Sequence, residues 1–190
     1  MSEILMIALT AALLNNVIFA QMFGVGALLN MSTNAKSAAG MGVAVTVVLI
    51  ATSATTWAVG EFLRLFRLYH LQLVVFVFII AVTVYFIAAI VRRFMPNVSR
   101  KGYFPVLTAN SAILGLAILN NFRTPYVPGI DFATAMVSGA FAGIGFLIAA
   151  VLLAAIRERV ELQGVPKSFS GVPIALISVG LIALVFWGLV

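Results

Sequence analysis

The chain has 190 residues, of which 64% are hydrophobic and only 8% charged. A soluble domain of this length cannot bury so much apolar surface around one core, and the absence of cysteine excludes disulfides, thiolate-held clusters and cysteine nucleophiles. The net charge of +6 would suit nucleic acid in a soluble protein, but here the basic residues sit in short segments between apolar runs, where they orient helices, so no nucleic-acid partner is expected.

Six apolar runs follow one another at 4–29, 38–63, 69–91, 103–122, 130–156 and 172–190. Each exceeds the ~18 residues that mark a membrane-spanning helix. With the bilayer as solvent, the backbone must satisfy its hydrogen bonds inside helices. The expected fold is therefore all-α and integral to the membrane, a single transmembrane domain over 1–190. The first run is not read as a cleaved signal, because Glu3 precedes it and Lys36 is the first basic residue.

The order of features divides the chain into two groups of three. The first run carries Asn15-Asn16 and then Gln21 and Gly24-Val25-Gly26; the fourth carries Thr108-Ala109-Asn110-Ser111 and then Gly115. The second run begins with Gly40 and Gly42, and the fifth with Gly139, Gly143 and Gly145. Both end in mixed charge: Glu61, Arg64 and Arg67 in one, Arg157, Glu158 and Arg159 in the other. The third and sixth runs are plainer. An odd number of helices per copy inverts the second copy across the membrane, so the expectation is two inverted repeats, about 1–95 and 96–190. Spans one and four are then broken near the midplane, where such folds place their working sites.

Basic residues set the orientation. The loops after spans one, three and five hold Lys36, Arg92, Arg93, Arg100, Lys101, Arg157, Arg159 and Lys167, which is eight; the opposite side holds Arg64, Arg67 and Arg123, which is three. The bias places the odd loops in the cytoplasm and both termini outside. Alternation of Arg157 and Arg159 with Glu158 and Glu161 allows pairing within that cluster.

Asn15 and Asn16 fall about eleven residues into the first run, close to mid-bilayer by helical rise. A buried amide in hydrocarbon must find a partner, either as glue between helices or as the lining of a site. Asn110 and Ser111 form a matching polar point, and the two points are expected to face each other across a small polar gap. Gly24 and Gly26 read as a helix break or packing notch, or as a break that offers backbone groups to a ligand. Gly139 and Gly143 form a small-xxx-small packing face. Thr52, Thr55 and Thr56 share a helix face and can bond back to their own helix. His70 has no second ligand-type residue near it, so no metal site is expected. The acids Glu3, Glu61, Asp131, Glu158 and Glu161 all lie at or near span ends. An ion path would therefore use neutral oxygens or a partner's residues.

These segments resemble the six-helix RnfA/NqrE family, membrane subunits of the Rnf and Na+-translocating NADH:quinone oxidoreductase complexes. The likeness covers essentially the whole chain. Leu14-Asn15-Asn16 with Gly24-Val25-Gly26 is similar to the family's L-x-N-N…G-x-C segment. The stretch from Phe104 and Pro105 through Thr108, Asn110 and Ser111 to Gly115 is similar to its L-P-L-I-T-x-N-C-A-x-x-G segment. Gly139 to Phe146, and Ile156-Arg157-Glu158-Arg159 followed by Val165-Pro166 and Gly171, match its fifth helix and its I-R-E-R ending. The resemblance implies one membrane component of a redox-driven ion translocase in a bacterial or archaeal inner membrane. It also implies a homologous six-helix partner, as a hetero- or homodimer, and an external N-terminus.

The departures fall on the family's chemistry. The family's cysteines in helices one and four help hold a [2Fe–2S] cluster between two homologous subunits; here those positions are Gly26 and Ser111. The family's acid in the third helix aligns with Ala88. The expectation is a chain that binds no cofactor alone, is not catalytic alone, and offers Asn15, Asn16, Gly24, Gly26, Thr108, Asn110 and Ser111 to half of a transfer interface. A cluster-free transporter or channel-like protein, or a structural assembly component, would reuse the same fold.

Overall fold

The computed structural model describes residue 16 and residues 18–31, 34–94, 103–121, 130–166 and 168–188. All regular structure among these residues is helical: α1 (Val25–Met31), α2 (Ala35–Leu65), a 3-10 turn (Tyr69–Leu71), α3 (Gln72–Phe94), α4 (Tyr103–Thr108), α5 (Ser111–Asn121), α6 (Phe132–Leu162) and α7 (Val172–Trp187). Three stretches are long and apolar enough to cross a membrane: α2, the 3-10 turn with α3, and α6. Both α2 and α6 have 31 residues. At ~1.5 Å per residue each is roughly 46 Å long, so they must tilt or project beyond a hydrocarbon core of about 30 Å.

The expected helices differ from the observed ones at three places. In the first run, residues 18–24 are non-helical, and among the described residues regular helix starts at Val25. The fourth run is divided at Ala109 and Asn110. The fifth continues past 156, because Arg157, Glu158 and Arg159 are strong helix formers that prolong a helix already begun. Their charges also reach other helices. Arg157 Nη1 donates to the Leu29 carbonyl at 2.9 Å, and Glu158 Oε1 accepts from the Ala35 amide at 2.9 Å. Neighbouring residues at the end of α6 thus tie the C-terminal part of α1 and the start of α2.

Helix starts carry local signals. Asn34 caps α2, its Oδ1 accepting from Ser37 N at 2.8 Å. At the start of α6 the Thr134 hydroxyl donates to the Asp131 carboxylate. This bond holds Asp131 below the usual carboxylate range, against a smaller desolvation effect. Pro173 in the first turn of α7 follows Gly171, whose φ is 85°.

The core is the seam between α2 and α6. Gly42 meets Leu147, Gly143 meets Thr46 and Gly139 meets Ser53, so the two helices run antiparallel. A Cβ on Gly143 would lie 2.7 Å from Thr46 Cα, and one on Gly42 would lie 2.9 Å from Leu147 Cα. Small residues on both helices therefore set the closeness of approach. Met41, Val45, Val48 and Leu49 of α2 and Phe146, Ala149, Ala150 and Leu153 of α6 are buried in the same core. Thr52, Thr55 and Thr56 bond back to the carbonyls of Val48, Ala51 and Thr52, and Thr55 also meets Thr83 Oγ1 of α3 at 3.3 Å. Helix α3 keeps Val74, Val77, Phe78, Tyr85 and Phe86 exposed, an apolar face suited to acyl chains.

Gly143→Ala should lower the thermal midpoint of the detergent-solubilised protein, since overpacking costs about 1–3 kcal/mol. Gly180→Ala, where an added Cβ meets nothing within 4 Å, should leave the midpoint unchanged or raise it. Equal midpoints for the two variants would refute the seam as the point of closest packing.

Candidate functional site

Two asparagines organise the non-helical segments before α1 and between α4 and α5 in the same way. Asn16 is 1% exposed. Its Oδ1 accepts from Ile18 N at 2.9 Å and Phe19 N at 3.4 Å, and its backbone carbonyl accepts from Ala20 N at 2.9 Å. Asn110 is 4% exposed; its Oδ1 accepts from Ala112 N at 3.0 Å and its carbonyl from Ile113 N at 3.2 Å. Each side chain takes up amide donors that a new turn of backbone would otherwise leave unpaired. Asn16 does more: its Nδ2 donates to the Gly145 carbonyl of α6 at 3.0 Å.

Gly24 joins the breaks. Its amide donates to Ser111 Oγ at 2.8 Å, and its carbonyl accepts from Leu28 N at 3.0 Å inside the start of α1. Its φ of +80° belongs to the left-handed region that favours glycine. A Cβ there would lie 2.9 Å from Ala112 Cβ, 3.0 Å from Asn110 Oδ1 and 3.0 Å from Phe146 Cε2. Backbone conformation and space both require glycine.

Beside this junction lies a cavity of about 290 Å³, lined by Gly26, Ala27, Val106, Ala109, Asn110 and Ser111. Of the residues singled out in the sequence, Gly24, Gly26, Asn110 and Ser111 come together here. Asn15 lies outside the described residues. Asn16 and Thr108 are not among the lining residues, and it is Gly24, not Asn16, that bonds to Ser111. Gly139 and Gly143 belong to the α2–α6 seam. A second asparagine pair escaped the sequence reading. Asn120 accepts from Ser138 Oγ at 3.1 Å and approaches Ser53 Oγ at 3.5 Å, linking α5, α6 and α2. Two adjacent amides late in an apolar run were the available signal.

The donor set does not fit an iron–sulfur cluster. Such clusters need thiolates or equally strong donors. Gly26 has no side-chain donor, and the Ser111 hydroxyl is engaged by Gly24 N. Asn110 Nδ2 is buried without a hydrogen-bond partner, but an amide nitrogen is a hydrogen-bond donor, not an iron ligand. No group of three His, Cys, Asp or Glu side chains placed to hold a metal occurs among the described residues.

The two glycines of the Gly-x-Gly should respond in opposite ways. Gly24→Ala should destabilise the protein by about 1–3 kcal/mol through strain and crowding. At Gly26 an added Cβ meets nothing within 4 Å, and Gly26→Ala should change stability by less than about 0.5 kcal/mol. Thermal denaturation in detergent measures both; a tolerated Gly24→Ala would show that the junction does not constrain position 24.

The chain matches the family model described as "Rnf-Nqr subunit, membrane protein" over residues 4–190. It is 38% identical to the A component of the ion-translocating oxidoreductase complex of Azoarcus sp. (strain BH72), over 99% of this chain and 96% of that protein. The A component of the same kind of complex from Syntrophotalea carbinolica is also 38% identical, with the same coverage. The A component of the Na(+)-translocating ferredoxin:NAD(+) oxidoreductase complex of Acetobacterium woodii is 36% identical, over 97% of this chain and 95% of that protein. With breaks, junction and near full-length likeness together, the chain belongs to the Rnf-Nqr family of membrane protein subunits.

Proposed function

We propose that this chain is the A-type membrane component of an Rnf/Nqr-like, redox-driven ion-translocating oxidoreductase complex, and that it serves there without an iron–sulfur centre of its own. Full-length kinship with relatives named as the A components of such complexes carries the first part. The second part rests on Gly26 and Ser111, which line one cavity yet bring no iron ligand to it. In this reading a homologous six-helix partner covers the exposed face at Gly26, Ala109 and Ser111. Electrons pass on groups held by other members of the complex. The chain's own part is to hold the two breaks at fixed separation through Gly24 and Ser111, and to shape its half of the interface.

The proposed architecture is six spans in two inverted repeats, about 1–95 and 96–190, in an inner membrane with both termini outside the cytoplasm. Support comes from the antiparallel α2–α6 seam, which pairs the middle helix of each half, and from the matching asparagine caps at Asn16 and Asn110. A cluster-free transporter that reuses the scaffold is the second reading, favoured by the missing ligand atoms at Gly26 and Ser111.

Tagged protein isolated from its native membrane should bring down flavin- or ferredoxin-type redox proteins and a second six-helix membrane protein; isolation without them, under conditions that preserve a related complex, would favour the transporter. The chain purified alone should contain no iron by elemental analysis. The Gly26→Cys, Ser111→Cys double variant should fold, because position 26 has open space and a thiol at 111 can still accept from Gly24 N. Stoichiometric iron in the wild-type chain would overturn the cluster-free assignment.

A further inference from the structure

A second cavity, of about 400 Å³, lies where α2 gives way to α3, remote in sequence from the paired breaks. Its lining includes Arg64, Tyr69, His70, Gln72 and Asn121. Arg64 stands in its floor. The guanidinium nitrogens are buried; Glu61, one turn earlier, is its ion-pair partner, while Nε and Nη1 have no hydrogen-bond partner. Asn121 is more than nine-tenths buried, and its Oδ1 also lacks a partner. Buried polar groups are ordinarily satisfied, so the unpartnered guanidinium donors of Arg64 point to an occupant that accepts hydrogen bonds, whereas Asn121 Oδ1, itself an acceptor, is not a partner for such an occupant.

The mouth is different in character. Tyr69 and His70 are exposed and Gln72 is half-buried. All three offer hydrogen-bond donors, and they sit at the start of α3, where the helix dipole favours an anion. Around this polar mouth Phe62, Leu65, Phe66, Leu68 and Leu71 are all exposed. A soluble anion would have no use for such a skirt; acyl chains would cover it.

We propose that this cavity binds a phosphate group carried by an anionic phospholipid. The phosphate meets the donors of Tyr69, His70 and Gln72 at the mouth. Arg64 supplies positive potential from beneath, and the acyl chains lie along the exposed apolar residues of the α2 end and the connecting turn.

The test is native mass spectrometry of the full chain, released from detergent in the presence of phosphatidylglycerol, of diacylglycerol with the same acyl chains, or of inorganic phosphate. Wild-type protein should retain phosphatidylglycerol and not diacylglycerol. Arg64→Gln should reduce retention about tenfold, the scale of one charge-assisted hydrogen bond. Because Arg64→Gln also removes the ion pair with Glu61, a double variant His70→Leu, Gln72→Leu at the rim leaves that pair in place; it should reduce retention in the same direction. Arg67→Gln, outside the lining, should retain lipid as wild type does. Equal retention of diacylglycerol, an equal loss in Arg67→Gln, or undiminished retention in both cavity variants would overturn the site. Displacement of the lipid by millimolar inorganic phosphate would overturn the lipid as its source.

Discussion

A helix interrupted in an apolar environment exposes amide donors that water cannot reach, and each must be given a partner inside the protein. That constraint shapes the centre of this molecule. Asn16 and Asn110 answer it with side-chain oxygens, and Ser111 answers it for Gly24. A backbone turn is local, but its solution here is not: Gly24 precedes α1 while Ser111 begins α5, and Asn16 reaches α6 with its other amide atom. The polar groups at Asn16, Gly24 and Ser111 therefore also tie the first and fourth apolar runs to each other and to α6.

The α2–α6 seam provides the rigid body against which those breaks are held. Hydrophobic burial offers little preference for protein over lipid, so close packing and buried polar bonds must hold membrane helices together. Glycines on both helices admit Thr46, Ser53 and Leu147 at near-backbone distance. Phe146 of α6 then lies against the Gly24 position, and Gly145 of α6 receives Asn16. One stretch of α6, residues 143–147, thus serves the seam on one side and the junction on the other.

Much of this was legible in the sequence, because its signals are chemical contrasts. Asparagine and serine inside apolar runs are costly enough to mark a break, and the glycines at 139 and 143 mark a seam by spacing alone. What could not be read was pairing. Nothing in the sequence says that Asn16 seeks the Gly145 carbonyl and that Gly24, not Asn16, meets Ser111. These choices depend on how far the backbone turns between residues 18 and 24, which is set by tertiary packing. The charged end of α6 shows the same limit. Alternating charges allow self-pairing, but nothing in them says that Arg157 also reaches a carbonyl of α1 and Glu158 the first amide of α2.

The junction also separates two roles that a ligand site ordinarily combines. A thiolate at a cluster position holds metal and, through backbone amides bonded to its sulfur, is itself held in place. In this chain Ser111 Oγ fills only the second of these roles, as the acceptor for Gly24 N. Position 26, which has no such bond to preserve, carries no side chain at all and opens onto the cavity. Removing the Ser111 hydroxyl would leave the Gly24 amide unpaired, whereas position 26 has no side chain to lose and has open space around it. The contact between Gly24 and Ser111 is therefore a structural requirement of the fold that needs no redox group.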